Sequence, residues 1–404
     1  MQTDGSVSRL RTACSWSGWR REVTPLVSRR RGSIARPDTV SHTLSILRQD
    51  IFMRRLRIAM YHATLPGDFG KKGGVEAAVH RLAQSLTQRG NCELTVFSSG
   101  TPPTGAMYQH RSILNPTNRR KLTRLLVSPV LLNTVDFSGF DVLHFHGDDW
   151  FFVRRNAPVV RTFNGSALHE SRTAQSLKRR AMQRIVYEFE KLSARLATTS
   201  IAIGTETQQL YGSRYHIGLS VDMSIFAPRP KTPYPSVFYV GTWEGRKRGA
   251  LLYKTFIERV LPRHPDAKLF FVSDHCPPHP SVVHLAKASD KDLAEGLAQS
   301  WVFAYPSLYE GFGIPYIEAM ASGTAIVTTP NGGARDVLEN GTFGLIRDDE
   351  AFGAAIVELL ENEALRHSLA EAGLARAPLY SPDAICAQIE QVYRETADEY
   401  ARRR

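Results

Sequence analysis

Short apolar runs alternate with longer amphipathic runs along the chain from residue 56 onward. The first apolar run, residues 56–61, predicts a buried strand. Residues 75–88 predict a helix, because apolar residues recur there at three- and four-residue spacings. Further strands are predicted at residues 94–98, 141–145, 159–163 and 198–203, with a long helix at residues 170–197. Strands that alternate with helices favour a parallel sheet covered by helices.

A proline-rich stretch interrupts this alternation between residues 228 and 235, and it predicts a linker because proline holds an extended chain. Beyond it the predicted strands lie at residues 236–240, 268–272, 301–305 and 325–328, and the predicted helices at residues 250–260, 290–298, 315–321, 350–361, 363–375 and 382–399. The chain is therefore predicted to form two doubly wound α/β units. Ligands in such folds bind beyond the carboxyl ends of the strands, so the cleft between the units is the expected site.

Composition agrees with this picture. The chain has 404 residues, of which 42% are hydrophobic, as in a globular protein of more than one domain. No run approaches the roughly 18 apolar residues that a membrane-spanning helix needs. The four cysteines are widely spaced and form no C-x-x-C pair, which disfavours a disulfide scaffold and a zinc finger. A reducing, cytoplasmic setting is expected.

Residues 1–52 differ from the rest of the chain. They contain nine arginines, no lysine and four acidic residues, and they show no sustained periodicity. The segment lacks the apolar core of a secretory signal, and its acidic residues count against a transit peptide. We expect it to be either a disordered extension or a segment that precedes the natural start at Met53.

Positive charge is confined to the first half of the chain. Residues 53–220 carry 23 lysines and arginines against 11 acidic residues, whereas residues 221–404 carry 19 against 24. Such asymmetry favours an anionic partner such as a membrane surface, although a solvated basic face would look the same. Residues 119–126 and 177–185 combine cations with apolar residues, as interfacial helices do and as a helix packed on a sheet can. No nucleic-acid-binding motif is present.

The segment at residues 305–323 carries the most chemical information. It places Glu310 in a loop directly after a predicted strand and Glu318 in the helix that follows. Gly311 and Gly313 let backbone amides approach a ligand closely, and the positive end of the helix would face a diphosphate. Two carboxylates so placed suit a nucleotide sugar, one for the sugar and one for the ribose. The alternative is a solvated glutamate beside a helix-capping one.

This pair of glutamates, separated by seven residues in a G-F-G context, resembles the hallmark of the retaining glycosyltransferases of family 4, which have the GT-B fold. The resemblance runs from residue 56 to about residue 400 and is supported by Gly73-Gly74-Val75-Glu76, His144-Phe145-His146, Val221-Asp222 with Phe226 and Pro228, and Asn331-Gly332-Gly333. It implies two Rossmann-like domains that face a central cleft. The N-terminal, acceptor-side domain would comprise residues 53–213 and 385–404, because the last helix crosses back, and the nucleotide-sugar domain residues 214–384.

The resemblance also implies roles for individual residues. Glu310 would contact hydroxyls of the donor sugar, and Glu318 would hold the ribose. Backbone amides would lie along the sugar and the diphosphate at Gly73, Gly74, Gly311, Phe312 and Gly313.

The basic pair of the family is only partly matched. Members of the family carry an arginine directly after the V-G that ends the first strand of the second domain, and a lysine five residues later. Here Lys247 stands at the lysine position, but Thr242 replaces the arginine. Arg246 or Arg248 would then supply the second charge. Fixed cations are needed because the nucleoside diphosphate leaves with growing negative charge.

Two histidines close the predicted strand at residues 141–145. His144 and His146 fall on one face by alternation, but no third ligand at metal-site spacing accompanies them. The resemblance implies that a histidine here faces the reacting sugar, and we predict His146, with His144 as its structural neighbour. Asp290 and Asp292 formally fit a metal-binding D-x-D motif, yet they are better interpreted as acidic residues in the first turn of a capped helix. No metal or other cofactor is expected.

The resemblance thus implies a retaining glycosyltransferase of the hexosyl type. It would move a sugar from a nucleotide-diphosphate sugar to a hydroxyl of a lipid-linked or glycan acceptor, in surface polysaccharide or glycolipid synthesis. It would be cytoplasmic and could contact an anionic membrane peripherally. Two alternatives stay open: a nucleotide-sugar epimerase of the same fold, and a catalytically silent GT-B partner subunit.

Overall fold

The computed structural model describes residues 54–66, 74–99, 101–113, 121–154, 156–174 and 176–404, with only the backbone described at residues 121–124. The segment 1–52 and the start at Met53 lie outside the described residues. In the described part, none of the helices is both long and apolar enough to cross a membrane.

The first half of the described chain forms a sheet of seven parallel strands with helices on both faces. Its strands are β1 (Leu56–Thr64), β2 (Cys92–Ser99), β3 (Gln109–Ser112), β4 (Val142–Phe145), β5 (Val159–Phe163), β6 (Thr199–Ala202) and β7 (Tyr215–His216). Its helices are α1 (Gly74–Arg89), α2 (Lys121–Leu131), α3 (Ala167–Thr173), α4 (Leu177–Leu196) and α5 (Thr205–Tyr211). The strand order is β3-β2-β1-β4-β5-β6-β7.

The second half forms a sheet of six parallel strands. Its strands are β8 (Ser236–Val240), β9 (Lys268–Val272), β10 (Val282–Leu285), β11 (Val302–Tyr305), β12 (Ala325–Thr328) and β13 (Leu345–Ile346). The helices that follow β8 onward are α6 (Gly249–Thr255), α7 (Asp290–Gln299), α8 (Ile314–Ala321), α9 (Gly332–Val337), α10 (Asp349–Glu361), α11 (Glu363–Arg376) and α12 (Pro382–Arg403). The order is β10-β9-β8-β11-β12-β13, so both halves are doubly wound and the predicted fold class is confirmed.

Both faces of the first sheet are buried, which explains why its strands are continuous apolar runs. Along β1, Ile58 and Met60 pack on one face beneath α1, while Ala59 and Tyr61 pack on the other. The last helix, α12, joins the core of the first face through its apolar side. The end of the chain therefore packs on the first sheet, although the second half precedes it in sequence.

Two features differ from the sequence expectation. The long helix predicted at residues 170–197 is two helices, α3 and α4, because Ala174 and Ser176 adopt extended backbone conformations between them. In addition, β7 pairs with β6 at the edge of the first sheet, where no strand was predicted. Short elements such as β3, α5 and β13 had no periodic signal, because two to seven residues span too little of either period.

Candidate active site

A cleft of about 500 Å³ opens at the carboxyl ends of the strands, between the first and second sheets. The first half lines it with residues that include Gly74, His146 and Arg161. The second half lines it with residues that follow β8 and β11, including Arg246 and Phe312. Its place is that expected for a doubly wound fold, because connections at this end of the strands are free to carry side chains toward a ligand.

The loop after β11 is shaped by its glycines. Gly313 has a φ of 97°, in the left-handed region that favours glycine, and it lets the chain turn directly into α8. Gly311 lies so close to the first half that a side chain there would meet Gly165. Both glycines and Phe312 between them line the cleft. The local sequence therefore brings backbone, and not side chains, to the cleft at this point.

Glu310 sits directly behind this wall and is almost fully buried. One of its carboxylate oxygens, Oε1, accepts hydrogen bonds from three side chains. The donors are Lys247 Nζ at 2.5 Å, Ser307 Oγ at 2.6 Å and Arg246 Nη1 at 3.0 Å. Lys247 also donates to the hydroxyl of Tyr305 and lies over its ring. The result is a buried cluster of one carboxylate and two cations, with one positive charge in excess.

Electrostatics keep this carboxylate ionised. Burial acts to raise the pKa of Glu310, but the charges of Lys247 and Arg246 outweigh burial and hold the pKa below its ordinary value. Buried charges are tolerated only when they are paired and hydrogen-bonded, as they are here. Glu310 is therefore held as an anion with a fixed orientation.

The structure distinguishes between the two candidate arginines. Arg246 donates to both the carbonyl oxygen of Tyr309 and the carboxylate of Glu310, and it reaches the cleft. Arg248 instead pairs with Asp349 at 2.6 Å. Thr242, where the family has an arginine, donates its hydroxyl to the carbonyl of Glu244 at 2.6 Å. The second positive charge near Glu310 is thus that of Arg246.

A loop from β12 supports this cluster from behind. The side-chain amide of Asn331 donates to the carbonyl oxygen of Ser307 and to the hydroxyl of Tyr316, and its side-chain oxygen caps α9. The amide of Gly333 donates to the carbonyl of Glu310 at 3.0 Å. A side chain at Gly333 would overlap the backbone of Phe312, so only glycine fits there. Asn331-Gly332-Gly333 therefore fixes the loop that carries Glu310.

Glu318 lies one helical turn into α8 and does not line the main cleft. Burial raises its pKa to about 7, and the charge of Arg81, on α1 of the first half, opposes that rise together with that of Lys247. Glu318 therefore lies near positive charge from both halves. No hydrogen bond joins its carboxylate to another described residue, so its oxygens remain available to donors from outside the chain.

The two histidines have different environments. His144 is saturated: Nδ1 is hydrogen-bonded to the hydroxyl of Tyr393 on α12 at 2.6 Å, and Nε2 to Thr162 Oγ1 at 2.7 Å. His146 lines the cleft, and neither ring nitrogen has a hydrogen-bond partner among the described residues. Burial, helped by the neighbouring His144 and His62, holds the pKa of His146 well below its ordinary value. His146 is therefore a neutral, buried ring with free polar atoms beside the cleft.

Sequence reasoning missed a buried polar network in the first half. Arg161 on β5 pairs with Asp149 at 3.1 Å and donates to Ser193 Oγ, and its guanidinium packs over the ring of Phe163. Arg161 also lines the cleft. A charged residue inside an apolar strand was the available signal, since a buried arginine requires a buried partner.

A second set of missed residues joins the two halves at the edge of the cleft. The amide of Ser166 donates to the hydroxyl of Tyr309 at 3.3 Å, and His169 stacks on the same ring. The amide of Thr205 donates to Asp336 at 2.7 Å. These contacts join residues more than 100 positions apart, so local patterns could not reveal them.

The structure brings together most of the predicted site residues. Those that line or directly back the cleft are Gly74, His146, Arg246, Lys247, Glu310, Gly311, Phe312 and Gly313. Gly73 lies outside the described residues. Asp292 reaches back to Ser289 in a capping box at the start of α7, as its position in a first turn predicted. Among the described residues, no group of three His, Cys, Asp or Glu side chains is placed to hold a metal ion.

Family comparisons cover both halves of the chain. The model of the family described as Glycosyltransferase Family 4 matches residues 72–219, and the one described as Glycosyl transferases group 1 matches residues 234–362. A phosphatidyl-myo-inositol mannosyltransferase from Mycolicibacterium smegmatis is 28% identical over 371 residues, which cover 84% of this chain and 93% of that protein.

Solved structures agree on the fold. A sucrose-phosphate synthase from Thermosynechococcus elongatus superposes with a TM-score of 0.68 at 20% identity, over 84% of this chain and 99% of the other. HepE from Anabaena, in complex with UDP and glucose, superposes with a TM-score of 0.62 at 17% identity, over 84% and 99% of the two chains. The chain belongs to the group 1 glycosyltransferases of family 4 and is a hexosyl-type glycosyltransferase with the GT-B fold.

Proposed function

We propose that this protein transfers a sugar from a nucleotide-diphosphate sugar to a hydroxyl acceptor with retention of the anomeric configuration. The observation that carries the proposal is the buried cluster of Glu310, Lys247 and Arg246 behind the cleft. A carboxylate with a fixed orientation suits the hydroxyls of a sugar. The surplus positive charge suits the diphosphate that leaves.

The chemistry follows from this charge distribution. As the bond between the anomeric carbon and the diphosphate oxygen lengthens, negative charge grows on that oxygen. Lys247 and Arg246 stabilise it without rearrangement, because the cluster already holds both cations in place. The acceptor hydroxyl attacks from the same face, and its proton passes to the departing phosphate oxygen. One bond breaks and one forms on one face, which retains the configuration.

His146 would position the donor sugar. Its low pKa keeps the ring neutral at pH 7, so it cannot supply a full positive charge or act as a strong acid. A neutral imidazole offers one donor and one acceptor, and both nitrogens lack partners among the described residues. Sugar hydroxyls satisfy such atoms, so His146 is the proposed contact from the first half of the chain.

Metal independence is part of the proposal. Lys247 and Arg246 supply the positive charge that a divalent ion supplies in other transferases. Activity that is unchanged after exhaustive treatment with a chelator supports this part. Activity that is lost with the chelator and restored by added Mg²⁺ or Mn²⁺ contradicts it.

The acceptor is proposed to be lipid-linked or a glycan, at the inner face of a membrane. The name of the mycobacterial relative includes a phosphatidyl-inositol acceptor. On this chain, α4 begins with an exposed basic and apolar surface next to the cleft. Leu177 is 77% exposed and Ile185 48% exposed, so these apolar residues do not pack on the sheet. The cations that accompany them on α4 are Lys178, Arg179, Arg180 and Arg184.

Membrane contact can be tested with vesicles. We expect the protein to sediment with vesicles that contain anionic phospholipid, and to bind neutral vesicles much less, because a basic surface is attracted by about 1 kcal/mol per cation. K178E/R180E should lose this preference. Equal binding to neutral and anionic vesicles would contradict membrane docking, and it would leave the transferase proposal in place.

The transfer reaction is tested by incubating the protein with a panel of nucleotide-diphosphate sugars and with hydroxyl acceptors that include phosphoinositides and oligosaccharides. NMR of the new linkage gives the anomeric configuration. We expect one donor to be consumed with retention. Interconversion of the free nucleotide sugar without an acceptor would favour an epimerase. Nucleoside diphosphate binding without turnover of any donor would favour a catalytically silent subunit.

A further inference from the structure

A second cavity, of about 670 Å³, lies in the first half on the opposite face of β1 from the cleft. Side chains alternate along a strand, so Tyr61 and Ala63 line this cavity while His62, between them, lines the cleft. Phe97 on β2 and Leu132 after α2 form the rest of its buried apolar lining. Its volume is within the range of small-molecule sites, about 300 to 1,000 Å³.

The cavity is covered by α2, a helix with apolar residues on two faces. The inner face lines the cavity with Ser128 and Leu131. The outer face presents Leu126, Val127 and Val130, which are 43%, 40% and 53% exposed. Adjacent exposed apolar residues of this kind mark interaction sites. The outer face is therefore suited to contact with a bilayer.

A proline shapes this helix and ties it to the rest of the molecule. Pro129 lies inside α2 and cannot donate to the carbonyl of Leu125 four residues earlier. The indole of Trp150 donates to that carbonyl at 2.8 Å, and it also stacks on Phe189 of α4. Trp150 thus links α2 to α4, the helix that begins with the exposed basic surface.

We propose that this cavity binds a hydrocarbon chain of the membrane lipid to which the acceptor is attached. The chain would enter beside α2 from the bilayer that the helix contacts. Arg111, exposed at the opening of the cavity and packed over the rings of Phe97 and Phe140, would face the anionic headgroup region. A lipid held there has its headgroup near the end of β1, the strand that carries His62 into the cleft. Only the identification of this lipid as the acceptor rests on the proposed function.

The test uses the full-length protein and a dansyl-labelled fatty acid, whose fluorescence rises in an apolar site. We expect saturable binding to the wild type. Ala63→Phe fills the cavity from the sheet and Ser128→Trp fills it from the helix, so each should weaken binding at least tenfold. Ala63→Ser is the matched control that adds almost no volume, and it should bind as the wild type does. Circular dichroism verifies that each variant is folded. If Ala63→Phe does not fold, the affinity of Ser128→Trp is used to test the proposal.

Three results would overturn the proposal. The first is the absence of saturable binding to the wild type, and the second is equal affinity in a folded, filled variant. The third is a stable dimer in sedimentation that Val130→Asp dissociates, because the outer face of α2 would then be covered by a second copy of the chain. Nucleoside diphosphate binding is measured on the same samples. If the fatty acid binds and no nucleotide does, the proposed function fails and the cavity assignment stands.

Discussion

The two walls of the cleft differ in how far their polar groups are satisfied within the chain. On the wall from the second sheet, Glu310 accepts from three side chains, and its loop is held by Asn331 and Gly333. On the wall from the first sheet, His146 is buried without a hydrogen-bond partner among the described residues. Leaving a buried polar atom unpaired costs about 1 to 3 kcal/mol, so a protein retains one where a ligand completes it.

We infer from this difference that the two walls of the cleft have different roles. The second wall is rigid before any ligand arrives, as the stabilisation of a developing charge requires. We propose that substrate completes the first wall, which would make its groups sensitive to what is bound. The following predictions test this contrast, from the largest expected effect to the smallest.

The largest effect is expected at the rigid wall. Replacing Lys247 with alanine removes a preorganised cation from the leaving group, and kcat should fall roughly 100- to 1,000-fold. Steady-state transfer assays measure this. Lys254→Ala is the matched control, because Lys254 is exposed on α6 and forms a surface ion pair with Glu258 at 4.0 Å. Similar activity in the two variants would remove Lys247 from the mechanism.

Substitution of His146 should lower activity, whereas substitution of His144 should lower stability. His146→Ala removes two buried ring nitrogens that have no hydrogen-bond partner among the described residues. We therefore expect activity to fall about 5- to 150-fold, the equivalent of 1 to 3 kcal/mol, at nearly constant stability. His144→Leu leaves the hydroxyls of Tyr393 and Thr162 unpaired, and should cost about 2 kcal/mol of unfolding free energy.

Denaturant unfolding and transfer assays on both variants give the comparison. If His146→Ala destabilises the protein as much as His144→Leu while activity persists, then His146 is a structural residue. The contrast between the two walls would then be wrong.

A third prediction concerns pH. The folded pKa of Glu318 is about 7, above the ordinary value of 4.5. Between these values the folded state binds a proton that the unfolded state has lost, so the stability contribution of Glu318 is lost as pH rises through this window. The loss is at most about 3 kcal/mol, because Glu318 is partly exposed.

Glu318→Gln should therefore flatten the decline in stability between about pH 4.5 and pH 7. Unfolding curves at several pH values measure it for the wild type and the variant. Parallel pH profiles for the two proteins would show that Glu318 titrates normally.

The smallest effects should lie away from both walls, at the start of α7. Ser289→Ala removes the N-cap of this helix and should cost about 1 kcal/mol of stability. Asp290→Asn should leave transfer activity unchanged, since the Asp290–Asp292 pair belongs to a helix start. A large loss of activity in Asp290→Asn would revive the metal-binding interpretation of this motif.

The same contrast explains how much could be predicted from the sequence. On the rigid wall, the loop that carries Glu310 is built from features that the local sequence encodes: a strand, two glycines and a helix start. The side chains that hold this loop and its carboxylate, such as Asn331 and Lys247, come from other parts of the chain. The proximity of Lys247 and Glu310 followed from the family resemblance. The sequence left Arg246 and Arg248 open, because their directions depend on Asp349 and Tyr309, which lie far along the chain.

The first wall depends on long-range contacts, and the sequence said less about it. His144 and His146 are equivalent by alternation. They are distinguished by the partners of His144, which are Thr162 on β5 and Tyr393 on the returning helix, 249 residues away. Long-range packing also produces the pairing of Arg161 with Asp149 and the cavity beneath α2. Periodicity predicted the strands of this wall but not the partners of their side chains.

The central claim is that the protein binds the diphosphate of a nucleotide sugar in the cleft through Arg246 and Lys247. Calorimetric titration of nucleoside diphosphates into the wild type and into R246A/K247A tests it most directly. We predict that at least one nucleoside diphosphate binds the wild type, and that the folded double variant binds it at least about tenfold more weakly, since each charge-assisted hydrogen bond contributes about 1.5 to 3 kcal/mol. Equal affinity in the two proteins, or no binding of any nucleoside diphosphate to the wild type, would contradict the claim.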